Sequence, residues 1–429
     1  MRFLFLNHPC NMFNWDGTET KIPFPVPKLI GVENQIPPRC IHQLTCTKPD
    51  PSPYPWDFCI PTQPNKLQGP YDSSKTQLVL RISSLPLDEF WNHPSMDDQT
   101  QSSPEKNSDE TVEIDLSSTV LDLTSFQLHD LTSVEIPPTL TELDLTANRL
   151  SSLDPRISHL SNLTKLSFRQ NLIDDAAVEP ISRWDSLSGL EELVLRDNKL
   201  TKIPDASIFK KLLNFDVSFN EITSLHGLSK VSNTLKELYV SKNEVPKIEE
   251  IDHFHNLGIL ELGSNRLRVM ENLQNLSNLE ELWLGRNRIK AVDLCGLKCI
   301  KKISLQSNRL TSMKGFEDCV ALEELYLSHN GISKMEGLST LVNLKVLDVS
   351  SNKLTSVDDI QSLPRLEDLW LNDNQIESLE SIAEAVAGSR ETLITIYLEK
   401  NPCAKSSNYF TTLKNNFPNI QQIDSNILA

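Results

Sequence analysis

The stretch Leu344-Lys345-Val346-Leu347-Asp348-Val349-Ser350-Ser351-Asn352 decides the fold. Its alternation puts Leu347 and Val349 on one side of a short strand and Val346 and Asp348 on the other. Asn352 stands where the chain must turn off that strand. Its amide, both donor and acceptor, can satisfy backbone groups that the turn would otherwise bury unpaired. Working back from the strand, Ile332, Met335, Leu338, Leu341, Leu344 and Leu347 recur at every third residue. That period suits 3₁₀ or irregular turns better than an α-helix. One unit is therefore a strand, an asparagine turn and a tight return segment.

The unit repeats. An asparagine closes an LxLxxN-type signature at Asn148, Asn171, Asn198, Asn220, Asn243, Asn265, Asn287, Asn308, Asn330, Asn352, Asn374 and Asn401, with Phe126 in the equivalent place of a degenerate first copy. Most intervals are 21 to 23 residues and two are 27. This is the spacing of leucine-rich repeats, and so many copies exclude a chance match. The expected fold is an α/β leucine-rich-repeat solenoid, a curved right-handed superhelix with a parallel inner sheet and a 3₁₀ or irregular convex side. Residues 116–401 form the repeats and residues 402–429 a helical C-terminal cap, while 112–140 are expected to cover the other end. The interval from Asn171 to Asn198 is one of the long ones, so Asp174 to Trp184 is expected to protrude as a loop.

Upstream, the composition changes. Of 25 prolines, 15 precede Met96. Residues 1–95 are expected to be mostly disordered, because such a composition buries too little apolar surface to offset chain entropy. Residues 96–115 are acidic, with Asp97, Asp98, Glu105, Asp109 and Glu110, and read as a flexible segment. The net charge of −17 argues against nucleic acid or an anionic membrane as partner. Phe3-Leu4-Phe5-Leu6 is too short for a signal-peptide core, and a soluble intracellular protein is expected. The eight cysteines include no CxxC pair and read as reduced thiols.

A repeat protein can be an enzyme, but no GxSxG, HExxH, P-loop or post-strand GxGxxG occurs, and His253, His255 and His329 lack ligand-spaced partners. No catalysis, metal or cofactor is expected. The informative positions lie four residues before each asparagine, where side chains leave the sheet toward solvent. From Asp216 onward they read Asp216, Tyr239, Glu261, Trp283, Ser304, Tyr326, Asp348, Trp370 and Tyr397. Two residues earlier, Glu142, Glu192, Glu237, Glu281, Glu324 and Asp368 add acidic character. Exposed Trp and Tyr are unfavourable in water and enriched at binding hot spots, so this column reads as a protein-binding surface. The alternatives are aromatic rings that merely cover one another and acids that form an ordinary solvated face.

Leu260-Glu261-Leu262-Gly263-Ser264-Asn265-Arg266, Glu324-Leu325-Tyr326-Leu327-Ser328-His329-Asn330-Gly331-Ile332 and Ile396-Tyr397-Leu398-Glu399-Lys400-Asn401-Pro402 carry a closer likeness. With them, the chain resembles the leucine-rich-repeat regulatory subunits of protein phosphatase 1, the regulatory subunit 7 family, over about residues 116–429. The resemblance implies a non-catalytic subunit of nucleus and cytoplasm that holds the phosphatase catalytic subunit on its concave face and controls its activity and holoenzyme assembly. It assigns the contacts to Asp216, Tyr239, Glu261, Trp283, Asp348, Trp370 and Tyr397, with Asp368 beside them. Whether a third regulatory protein joins is left open. Lys21-Ile22-Pro23-Phe24 only superficially resembles a phosphatase docking peptide, since proline lacks the amide that strand addition uses. The runner-up is a dynein- or cytoskeleton-associated adaptor, because one solenoid hosts many partners. If translation starts at Met96, mass spectrometry of the native protein recovers no abundant peptides from residues 20–90.

Overall fold

The computed structural model describes residues 118–294 and 296–428, together with the backbone of Gln77–Arg81 and Thr111–Asp115. The expected disorder of 1–95, the Met96 start, the docking-like Lys21 to Phe24 stretch and Cys10, Cys40, Cys46 and Cys59 otherwise lie outside the described residues. Gln77–Arg81 and Thr111–Asp115 pair antiparallel, with Leu78 opposite Ile114 and Leu80 opposite Val112, as a separate two-stranded sheet.

From Val120–Asp122 to Thr395–Tyr397 the chain lays down thirteen strands of three residues each, every one parallel to and beside its predecessor. Their central residues are the buried ones. Leu238, Leu260, Leu282, Ile303, Leu325, Leu347, Leu369 and Ile396 form one continuous buried row under the sheet. The three-residue series Ile332, Met335, Leu338, Leu341 and Leu344 is fully buried too. Burying one such side chain is worth about 2 kcal/mol, so each turn contributes a slice of core that is complete only when its neighbours cover it.

The asparagines lock turn to turn. Asn287 donates through Nδ2 to the carbonyls of Leu284 (3.0 Å) and Gly285 (3.3 Å) in its own turn, and to Leu262 (3.0 Å) in the turn before. Its Oδ1 accepts from the Leu267 amide at 3.0 Å. Asn243, Asn265 and Asn352 repeat the pattern. The residue before each of the twelve asparagines is in left-handed backbone, with φ between 50° and 60°. None of them is glycine, so each turn accepts some backbone strain that the asparagine hydrogen bonds hold in place.

Return segments are mostly turns with short 3₁₀ helices, as at Pro155–His159 and Leu228–Lys230, in keeping with the three-residue period. The two 27-residue intervals differ. The first holds an α-helix at Asp175–Val178 followed by a 3₁₀ helix at Glu179–Arg183; the second holds an α-helix at Leu379–Ala385. This corrects the expected protruding loop, because Val178, Ile181 and Trp184 are buried in the core. The extra residues are taken up by helical turns that keep an apolar side inward. Asp174 caps the first helix by accepting from the amides of Ala176 and Ala177.

At the C-terminus, helix Tyr409–Asn416 is followed by Gln422–Ile423, parallel to Thr395–Tyr397, and by the antiparallel Asn426–Ile427. Asp424 closes the ladder where no further asparagine follows. Its Oδ1 accepts from the amides of Leu398 (2.7 Å) and Glu399 (2.9 Å), and its Oδ2 from the Tyr409 hydroxyl (2.9 Å). At the other end the sheet stops at Val120–Asp122, and turns through residues 124–140 place Leu128, Leu131, Val134 and Leu140 in the core.

Replacing Asn287 with Ala removes three donations and leaves the buried Leu267 amide without an acceptor, while the Leu262, Leu284 and Gly285 carbonyls keep only Asn265, Asn308 and the Ser264 amide. The variant is expected to lose about 2–4 kcal/mol in urea unfolding, whereas an exposed return-segment control such as Lys290→Ala should unfold with wild-type parameters.

Candidate binding face

Parallel pairing in strict register brings the column into single file. Asp216 lies opposite Tyr239, Tyr239 opposite Glu261, and Glu261 opposite Trp283. Trp283, Ser304, Tyr326, Asp348, Trp370 and Tyr397 continue the line strand by strand. The four aromatic side chains between Trp283 and Tyr397 are half-buried, on the solvent side of the sheet and outside the core.

The rings touch one another. Trp283 and Tyr326 stack with centroids 6.5 Å apart and planes 20° apart, although Ser304 stands between them in the column. Tyr326 meets Trp370 edge-on at 6.4 Å across Asp348, and Trp370 meets Tyr397 at 5.9 Å. Small or short residues alternate with large ones, so the rings lean over the gaps and roof them. Mutual covering is therefore real, yet it leaves each ring partly open to solvent. Such pairs add about 1 kcal/mol beyond area burial and hold the rings in place.

Roofing corrects one expectation. Asp348 is only 4% exposed and is not a free contact. Its Oδ1 accepts from the amide (3.0 Å) and hydroxyl (2.6 Å) of Ser350, and burial pushes its carboxyl above the usual carboxylate range. Asp216 and Glu261 are half-buried, and burial raises both carboxyls as well; nearby Arg196 pulls each back in part.

The second row ties down the first. Glu237 accepts from the Tyr239 hydroxyl (3.0 Å), Glu281 from the Trp283 indole (3.1 Å) and Glu324 from the Tyr326 hydroxyl (2.8 Å). Burial raises the Tyr239 and Tyr326 hydroxyls, and the adjoining Glu237 and Glu324 carboxylates add to the effect. Trp370 is the exception, since its Nε1 is buried without an acceptor. The acids of this row are not all free. Lys302 sits between Glu281 (3.9 Å) and Glu324 (3.2 Å), and Lys165 pairs with Glu142 at 3.0 Å.

Sequence reasoning singled out this column and missed its neighbour. Arg196 lies two residues before Asn198 and Phe219 one before Asn220, and they meet across adjacent turns with the guanidinium carbon 4.2 Å from the ring centroid. Two different positions of the repeat are involved, so no single column of the sequence displays the contact. Among the described residues no group of three His, Cys, Asp or Glu side chains could hold a metal ion, and no helix is long and apolar enough to cross a membrane. Cys299, Cys319 and Cys403 are free thiols, the last two buried.

A solenoid with a continuous row of half-open aromatic rings and carboxylates along its sheet is a leucine-rich-repeat protein whose candidate functional surface is a face rather than a pocket. The family model for leucine-rich repeats in two copies matches residues 320–361 and 342–384. An internalin of Listeria monocytogenes shares the fold, with a TM-score of 0.59 and 18% identity over 68% of this chain and 84% of its own. A leucine-rich-repeat protein of Leptospira interrogans superposes with a TM-score of 0.55 and 28% identity, over 66% of this chain and 78% of its own. The Arabidopsis thaliana "Protein phosphatase 1 regulatory inhibitor subunit PPP1R7 homolog" is 76% identical over 325 residues, which is 76% of this chain and 99% of that protein. The chain belongs to this family of phosphatase regulatory inhibitor subunits.

Because the folded state raises the Asp348 carboxyl, the protonated form is the one folding favours. That contribution is present at low pH and lost as pH rises through the folded-state value. Asp348→Asn, which keeps an acceptor for Ser350, is therefore expected to unfold at or above the wild-type temperature at pH 7. The difference should shrink toward pH 4 in thermal scans.

Proposed function

We propose that this chain is a non-catalytic regulatory subunit that binds the catalytic subunit of protein phosphatase 1 across the aromatic and acidic face of its sheet, controlling its activity and holoenzyme assembly. The observation that carries the reading is the run Trp283, Tyr326, Trp370 and Tyr397, held ring against ring and still open to solvent. The name of the Arabidopsis relative supplies the partner. Trp and Tyr lose little rotamer freedom on docking, and here their neighbours already restrain them, so ordering them on association costs little. The carboxylates of Asp216, Glu261 and Asp368 give the face a negative field that steers toward a basic surface on the partner. Arrangement along one sheet lets a single rigid partner meet every contact at once, with no loop to order.

Trp283→Ala combined with Trp370→Ala tests the reading. The double variant should lose co-purification with the catalytic subunit by at least about a hundredfold in affinity, an order expected when two anchors go, while its circular dichroism stays that of the wild type. Retained binding in a folded double variant would remove the face as the docking site.

A further inference from the structure

Where the strands end, the sheet margin carries a contact that the column does not explain. Phe219 is in left-handed backbone at φ 55°. Ser264, Ser307 and Ser351 hold the same position on later turns. Lys242, Arg286, His329 and Lys400 also hold it, but Phe219 is the one large apolar side chain among the twelve, and it is 38% exposed. Arg196, from the turn before, covers the ring at 4.2 Å, and Lys242, from the turn after, brings Nζ to 5.7 Å from its centroid. Backbone bonds fix the stacking: the Asp197 amide donates to Ser218 at 2.9 Å and the Phe219 amide to Ser241 at 2.8 Å.

Arg196 is the decisive group. Its side chain keeps 24% of its exposure, and its carboxylate contact is Nη1 to Asp216 Oδ2 at 3.8 Å, too long for a hydrogen bond. Guanidinium carries five donors, and the carboxylates of Asp216 and Glu261 beside this one balance its charge without filling them by a hydrogen bond. Asp197, exposed on the preceding turn, lies beyond ion-pair distance of both cations. The outward edge of an aromatic ring is the positive end of its quadrupole. Two cations and a ring edge together ask for an anionic acceptor.

We infer that Phe219, Arg196 and Lys242 form a second anchor for the bound partner, receiving an Asp or Glu side chain whose carboxylate fills the Arg196 and Lys242 donors while its flanking residues cover the ring. This rests on the phosphatase-binding reading. Arg196 reaches Asp216, the first member of the column from which acids and aromatics alternate, so the anchor continues the same face onto the strand-end margin. It places a carboxylate-bearing loop of the partner at that margin, opposite in sign to what the acidic column attracts.

The experiment titrates bacterially produced, unphosphorylated phosphatase catalytic subunit into wild type, Phe219→Ser with Arg196→Gln, and Trp283→Ala with Trp370→Ala, at low and high salt. Phe219→Ser installs the residue that later turns carry at Ser264, Ser307 and Ser351, so folding should be retained or improved, as thermal unfolding will show. The anchor variant is expected to bind about tenfold or more weaker, with Lys242→Gln alone giving a smaller loss and a shallower salt dependence. Wild-type affinity in the folded anchor variant, with the tryptophan variant defective, overturns the anchor and leaves the docking face standing. Absence of binding by the wild-type chain overturns both.

Discussion

One side chain per turn carries the geometry. Each asparagine bonds to its own turn and to the turn before, so the distance between consecutive strands is set by amide hydrogen bonds as well as by the sheet ladder. A turn whose preceding residue is left-handed would relax if left alone. Twelve of them in sequence do not, because each is clamped by the next. The ladder must end somewhere, and Asp424 supplies a two-lone-pair acceptor at that point, with Tyr409 holding it in place.

That fixed spacing explains the binding face. Strands about 4.8 Å apart leave too little room for aromatic rings on every neighbour to lie flat. Ser304 and Asp348 provide the gaps that let Trp283, Tyr326 and Trp370 lean together. Alternation of large and small is thus a packing requirement before it is a binding property. The same packing holds the rings in the orientation that a rigid partner would meet.

Much of this was legible because a strand has a period of two and the repeat a period near 22. Those two numbers assign inward and outward positions without reference to anything distant. They could not show that Asp348 is roofed, since its burial depends on the reach of side chains one strand away on either side. They mistook Asp174 to Trp184 for a protruding loop because a longer interval reads as an insertion. Instead, one α-helical turn at Asp175–Val178 takes up the extra residues, and the three-residue series resumes through Val178, Ile181, Trp184, Leu187 and Leu190. Lys302 and Lys165 temper the acidic row in a way that column counting over acids alone passes over. Phe219 and Arg196 belong to different columns and come together only in space.

The raised carboxyls on the sheet have a consequence for association. Burying an ion pair is ordinarily opposed by the loss of hydration, which can exceed the attraction gained. On this face Asp216 and Glu261 have already lost much of their water in the free protein, as the direction of their shifts records. A cation brought to them by a partner therefore faces mainly its own desolvation, in surroundings where the effective dielectric is lower than at an open surface. The free chain carries the corresponding instability, which the buried leucine rows and the asparagine ladder are extensive enough to tolerate. A solenoid suits this arrangement, because its core grows with every turn while the face needs only one or two strained groups per strand.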